Sequence, residues 1–103
     1  MQGLSETTWK IVQKMFAPEL QQEAGKILVN ECSTNLPFHG NEDEFALERT
    51  RFACLKLSKG NIDQLRHAVD EAQSDWRDVL GAAGFAMYVT THEKWAQNFL
   101  TAS

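Results

Sequence analysis

Positive charge is what this chain is short of. Ten Lys and Arg stand against 14 Asp and Glu, giving a net charge of −4 and a pI of about 5.3. That balance favours solubility and weighs against a phosphate-binding surface. Long apolar runs are missing too. The longest uncharged run, Val79 to Thr91, falls below the roughly 20 apolar residues a bilayer-spanning helix needs, and glycine and threonine dilute it. The opening Met-Gln-Gly-Leu-Ser-Glu-Thr-Thr-Trp has no basic start followed by an apolar stretch, so the expectation is a cytoplasmic chain with no membrane partner. Cysteine is scarce: Cys32 and Cys54 lack CxxC spacing, and such residues in a reducing compartment behave as small buried hydrophobes. Internal repeats, low-complexity stretches and period-two apolar runs suggesting strands are all lacking.

What is present suffices for one core. The 103 residues are 43% hydrophobic and 23% charged, the composition of an ordered globular chain, and this length fits a single domain, 1–103. The pattern predicts an all-α fold of five or six short helices. Ser5 can cap a first helix whose Trp9, Val12, Met15 and Phe16 share one face. Pro18 ends it and opens a second helix to about Cys32, because proline tolerates the first helical position; Leu20, Ala24, Ile27, Leu28 and Glu31/Cys32 form its inner stripe.

The segment from Ser33 to Asn41 reads as the one true loop, interrupted by Pro37 and Gly40. Asn41 is a suitable cap for a third helix, with Glu42, Asp43 and Glu44 at its positive dipole end and Lys56 and Lys59 at the other. Gly60 supplies a left-handed stop. Asn61 with Gln64 resembles a capping box and starts a fourth helix carrying Ile62, Leu65, Val69, Ala72 and Trp76. Ser74 is a second possible cap, predicting a short fifth helix over Asp75 to Ala83, stopped by Gly84. Thr90 and Glu93 offer a capping box for a sixth, with Trp95, Phe99 and Leu100.

The third helix is the central one. At 100° per residue Phe45, Phe52 and Leu55 lie on one side, Leu47, Cys54 and Leu57 on another, and Ala46 with Ala53 on a third. Only a narrow sector around Arg49 and Lys56 is polar. A helix apolar nearly all round is either central in its domain or shared with a partner subunit. Both are compatible in a small domain, so a homodimer is expected, with Phe45, Leu47, Glu48, Arg51, Phe52 and Leu55 as interface candidates. Glu48 and Arg51, three residues apart, are placed to pair as a structural ion pair.

Motifs that would carry chemistry fail one by one. His92-Glu93 begins like a zinc-protease helix, but Ala96 stands where the second histidine belongs. His67 shares a helical stripe with Asp63 and Glu71, and one stripe rarely closes a coordination sphere, so no metal is expected. Gly81-Ala-Ala-Gly84 follows a helix and lacks the phosphate-loop lysine; its small residues are expected to let helices approach closely. Asp75-Trp-Arg-Asp78 suits the first turn of a helix, with Arg77 and Asp78 as a possible partner contact. No serine or cysteine lies in a nucleophile motif, so no catalytic residue and no cofactor is expected. Between Asn61 and Leu80, five acids against two arginines give a local charge of −3, which opposes docking of a helix–turn–helix onto nucleic acid.

The segments Glu48-Arg-Thr-Arg-Phe-Ala-Cys-Leu-Lys-Leu-Ser-Lys-Gly60 and Asp75-Trp-Arg-Asp-Val-Leu-Gly-Ala-Ala-Gly-Phe85 resemble small bacterial helical proteins with no assigned activity. The resemblance covers the C-terminal half and implies a bacterial source and a fold type, but no functional residue. Two functions follow from the residues. One is an interaction or assembly module that self-associates through apolar helix faces or takes a protein partner. The other is a small-ligand binder or enzyme with an aromatic pocket among Phe38, His39, Trp76, Tyr88 and Trp95.

Overall fold

A computed structural model describes residues 1–33 and 44–102. The expected hinge, the Asn41 cap with Glu42 and Asp43, and the pocket candidates Phe38 and His39 lie outside the described residues. Within them the chain forms five helices and no strand. Ser5 has extended backbone and its Oγ accepts the Thr8 N–H at 3.1 Å, opening α1 (Glu6–Met15). The inner face of α1 is centred on Thr8, Ile11 and Val12, with Trp9 and Met15 only half-buried. Helices packed on two sides of α1, not one, account for that rotation from the expected face.

Pro18 starts a single 3-10 turn to Leu20, closed by Leu20 N–H to Ala17 O at 2.8 Å, before α2 (Gln21–Glu31) proper begins. The α2 stripe is Ala24, Gly25, Ile27 and Leu28, with Cys32 at its end. Gly25 belongs there for space: a Cβ would run into the Met1 side chain and come within 3.2 Å of the Trp9 ring.

In α3 (Glu44–Ser58), every residue from Thr50 to Leu55 is buried. Six consecutive buried residues span more than a full turn, so α3 is covered from all sides by α1, α4 and α5 of its own chain. Its all-round apolar character is thus met within one protomer. Lys59 (φ +52°) and Gly60 (φ +80°) then reverse the chain. A Cβ on Gly60 would lie 2.6 Å from the Met15 carbonyl oxygen, so glycine is required for contact as well as conformation. Asn61 Oδ1 accepts the Gln64 N–H at 2.9 Å and opens α4.

The expected fourth and fifth helices are the two halves of α4 (Ile62–Ala83), broken at Asp75 (φ −153°, ψ 95°). The break falls one residue after the expected Ser74 cap, and it is Asp75 whose Oδ1 accepts the Arg77 N–H at 3.1 Å. A straight helix of 22 residues would extend about 33 Å. Instead Lys56, in the last turn of α3, donates to Ala83 O at 2.8 Å at the far end of α4. Both ends of α4 therefore lie near the end of α3, and the second half doubles back along it. Gly84 (φ +83°) closes α4, with Phe85 N–H reaching Leu80 O at 2.9 Å. Gly81 is exposed and its missing Cβ has nothing within 4 Å, so it does not mediate the close helix approach expected of it.

After an irregular link, α5 (Thr91–Thr101) packs on α1 and α3. Thr90 is already in helical geometry (φ −106°, ψ −1°) and its side chain makes no cap bond, contrary to the expected capping box. A turn from Tyr88 O to Thr91 N–H leads directly into the helix and leaves Thr90 no extended conformation from which to cap. The radius of gyration, 12.3 Å, matches the roughly 13 Å of a single folded domain this long.

Candidate functional site

The interface candidates separate into two groups. Arg51, Phe52 and Leu55 are buried inside the chain at 6, 2 and 0% exposure and are withdrawn from any contact surface. Phe45 is exposed, and Leu47 and Glu48 are partly so. Arg51 and Glu48 each find other direct partners. Arg51 donates from Nε to Cys32 O at 3.0 Å and from Nη1 to Gly3 O at 3.1 Å, tying α3 to the end of α2 and to the N-terminal turn. Burial lowers its guanidinium from the usual arginine value, offset by Cys32, Glu48 and Glu44. Glu48 Oε1 accepts from the hydroxyls of Ser5 and Thr8, the latter at 2.9 Å. With Ser5 Oγ also accepting the Thr8 N–H, these hydroxyls close a helix start and tie it to the Glu48 carboxylate of α3.

An open cleft of about 530 Å³ lies over this network, walled by Leu4, Ser5, Leu47 and Glu48 and floored by Arg51. Ser33 and Glu44, which bracket residues 34–43, line it as well. A second open cleft, about 420 Å³, follows the kink of α4 past His67, Asp70, Glu71, Ser74, Asp75 and Asp78. His67 Nε2 there lies 2.9 Å from Glu71 on an exposed face. Among the described residues no group of three His, Cys, Asp or Glu is arranged to hold a metal. Arg77 is exposed, 3.9 Å from Asp75 and over the Trp76 ring.

A third cleft, about 370 Å³, is lined by Lys14, Met15, Lys56, Lys59, Trp95 and Phe99. Trp95 stacks on Phe99 at 5.5 Å with 21° between the rings, and also packs on Phe52 and Phe85. Of the pocket candidates within the described residues, Trp95 alone lines one of these clefts. Tyr88 projects from the α4–α5 link and Trp76 sits on α4, so these three residues do not share a pocket here.

That link carries a feature the sequence reading passed over. Met87, Tyr88 and Val89 are exposed at 81, 66 and 59%, and Phe45 at 46%; among the described residues these are the exposed large apolar side chains. Met87, Tyr88 and Val89 are consecutive, and Phe45 reaches the start of α5, three residues beyond Val89, through His92. The Phe45 ring meets His92 edge-on at 5.0 Å, and Arg49 holds the Phe85 and Ala86 carbonyls from α3. His92 itself is 2% exposed among Phe45, Phe52 and Phe85, and its Nδ1 has no partner among the described residues. Burial pushes its imidazole below the usual histidine value; Arg49 adds to this, while Glu93, Glu48 and Val89 oppose it. The signal for this surface lay in the uncharged run Val79–Thr91, whose tail is apolar without any helical spacing.

The two cysteines meet although no motif joins them. Arg51 and Cys54 stand three apart on α3, and Arg51 grips Cys32, so the Cys54 thiol lies against that of Cys32 with both fully buried. Bonding to the Cys32 side chain, followed by burial, raises the Cys54 thiol well above the usual value. Compared with known families, curated proteins and solved structures, the chain matches none, and the C-terminal resemblance to small bacterial proteins adds nothing to these observations.

Proposed function

We propose that the protein is a small interaction module that self-associates through the surface formed by Phe45, Met87, Tyr88 and Val89. The observation that carries this reading is that three of the four exposed large apolar side chains among the described residues are consecutive on one link, with the fourth, Phe45, packed on His92 just beyond it. Methionine and aromatic side chains are the types enriched at protein contacts, and a contiguous exposed group of them is disfavoured in water without a partner. A second copy suits the patch because a two-fold contact meets itself and needs both signs of charge at its rim. Exposed Glu93 and Lys94, adjacent on the first turns of α5, supply both. The rigid backing of the link, anchored by Arg49 and by Phe85 in the core, lets the patch bind without ordering itself first.

Four side chains make a small contact, well below the roughly 800 Å² per partner of stable complexes, so self-association is weak. Sedimentation equilibrium should show a monomer–dimer equilibrium with a dissociation constant of roughly 100 µM. The double substitution Met87→Ser, Tyr88→Ser should abolish it with helical content unchanged. A wild-type chain that stays monomeric at about 1 mM, or a dimer indifferent to the double substitution, removes the reading.

A further inference from the structure

The geometry points to a binding site for a small anion with an aromatic body in the cleft between α1, the end of α3 and α5. The lining reverses the character of the chain: acids outnumber bases 14 to 10 overall, yet three lysines and no acid line this cleft. Two of the lysines have structural work. Lys14 donates to the Phe99 and Ala102 carbonyls at the end of α5, and Lys56 to Ala83 O at the end of α4. Lys59 has none. It makes no hydrogen bond or ion pair among the described residues, and its φ of +52° is a left-handed conformation that glycine, its neighbour at position 60, adopts without strain.

Lys59 is exposed and unpartnered among the described residues, and Lys14 and Lys56 line the same cleft, so three ammonium groups share one opening. An anion at its mouth is attracted by all three. Each ammonium has three donors. Lys14 uses two on carbonyls and Lys56 one, so donors remain on all three lysines for an incoming phosphate or carboxylate. Met15 and the stacked, half-buried Trp95 and Phe99 line the same cleft, with Lys14 Nζ 5.3 Å from the Phe99 ring centre, so an aromatic body would lie along the Trp95 and Met15 side. The volume, about 370 Å³, fits a ligand of one or two rings. Recognition thus has two parts, a charge held by Lys59 and its neighbours and a ring held by the aromatic wall.

The test is titration of the 15N-labelled protein with 1-naphthyl phosphate, inorganic phosphate and 1-naphthalenemethanol, followed at the Lys59 amide and the Trp95 indole. The expected result is saturable binding of 1-naphthyl phosphate near 1 mM or tighter, with each of the other probes at least about tenfold weaker. Lys59→Glu should weaken the naphthyl phosphate response at least about tenfold. Lys59→Gly should also weaken it while raising the thermal midpoint, since it removes the strain together with the charge. No saturation by about 10 mM, equal binding of inorganic phosphate or of the neutral alcohol, or an unchanged response in Lys59→Gly overturns the proposal.

Discussion

Gly60 and Gly81 ask for opposite predictions. At Gly60 a side chain meets both a left-handed backbone and the Met15 carbonyl, so Gly60→Ala should cost about 2 kcal/mol or more in urea unfolding. Gly81 is helical, exposed and open around its missing Cβ, so Gly81→Ala should add roughly 0.5–1 kcal/mol. His92 makes a third prediction at this scale. Its folded-state value is lowered by burial, so between that value and the ordinary one the unfolded chain binds the extra proton. Stability is then full above the ordinary histidine value, near pH 6.5, and falls as pH drops below it. The urea midpoint should decline from pH 8 to pH 5.5, and His92→Phe, which fits among Phe45, Phe52 and Phe85, should flatten that decline.

The helices share one economy in their ends. Helices α2, α4 and α5 have no basic residue in their last turn. Each is closed by a cation from another helix: α2 by Arg51, α4 by Lys56 and α5 by Lys14. Gln21 does the same for α1, bonding the Gln13 and Phe16 carbonyls at 3.2 Å, and Gln73 adds Glu31 O at 2.7 Å. Terminal carbonyls carry the negative end of the helix dipole and lack intrahelical partners, so these bonds hold helices together as well as finishing them. Replacing Arg51 with Met keeps the bulk but leaves the buried Cys32 carbonyl without its donor and frees the Gly3 carbonyl of the N-terminal turn. The expected loss is about 2–4 kcal/mol by urea unfolding, far above that for Arg66→Met, whose contacts with Glu23 and Glu31 are exposed.

Local signals explain what was legible at this scale. Ser5, Asn61, Gly60 and Gly84 make their caps and reversals within five residues, and each does what its position in the sequence indicates, whereas the Met15 carbonyl that also demands glycine at 60 is a tertiary neighbour. The narrow polar sector of α3 was legible too, but its use was not: Arg49 and Lys56 face carbonyls of residues 83–86, a pairing set only when α4 doubles back. Thr90 fails as a cap for the same kind of reason, since the turn before it fixes its backbone.

At the scale of the whole molecule, α3 is the axis and the kink at Asp75 is what wraps α4 around it. The apolar periodicity of α3 announced a central helix, yet it cannot distinguish burial by the same chain from burial by another. That is why Phe52 and Leu55 read as interface residues while lying in the core. The apolar link Met87–Val89 stayed hidden because exposure is decided by topology, not by composition. Cys32 and Cys54 provide a global probe of this arrangement. Both thiols are fully buried and Cys54 is raised, so Ellman's reagent should label neither within minutes in the native protein and both at once in denaturant. The labelling rate should rise with urea in parallel with global unfolding; labelling of either thiol well below the unfolding transition means that α2 and α3 open separately.

The lent lysines also set what chemistry the folded chain can tolerate. Lys56 acts on a neutral carbonyl at a part-buried hydrogen-bond contact, where salt screens little, and Lys14 likewise acts on carbonyls and not on carboxylates, so these two ties should hardly respond to ionic strength. Acylation is another matter. It removes both the charge and donors, and at these two positions one modified nitrogen unfastens a helix that lies elsewhere in the chain.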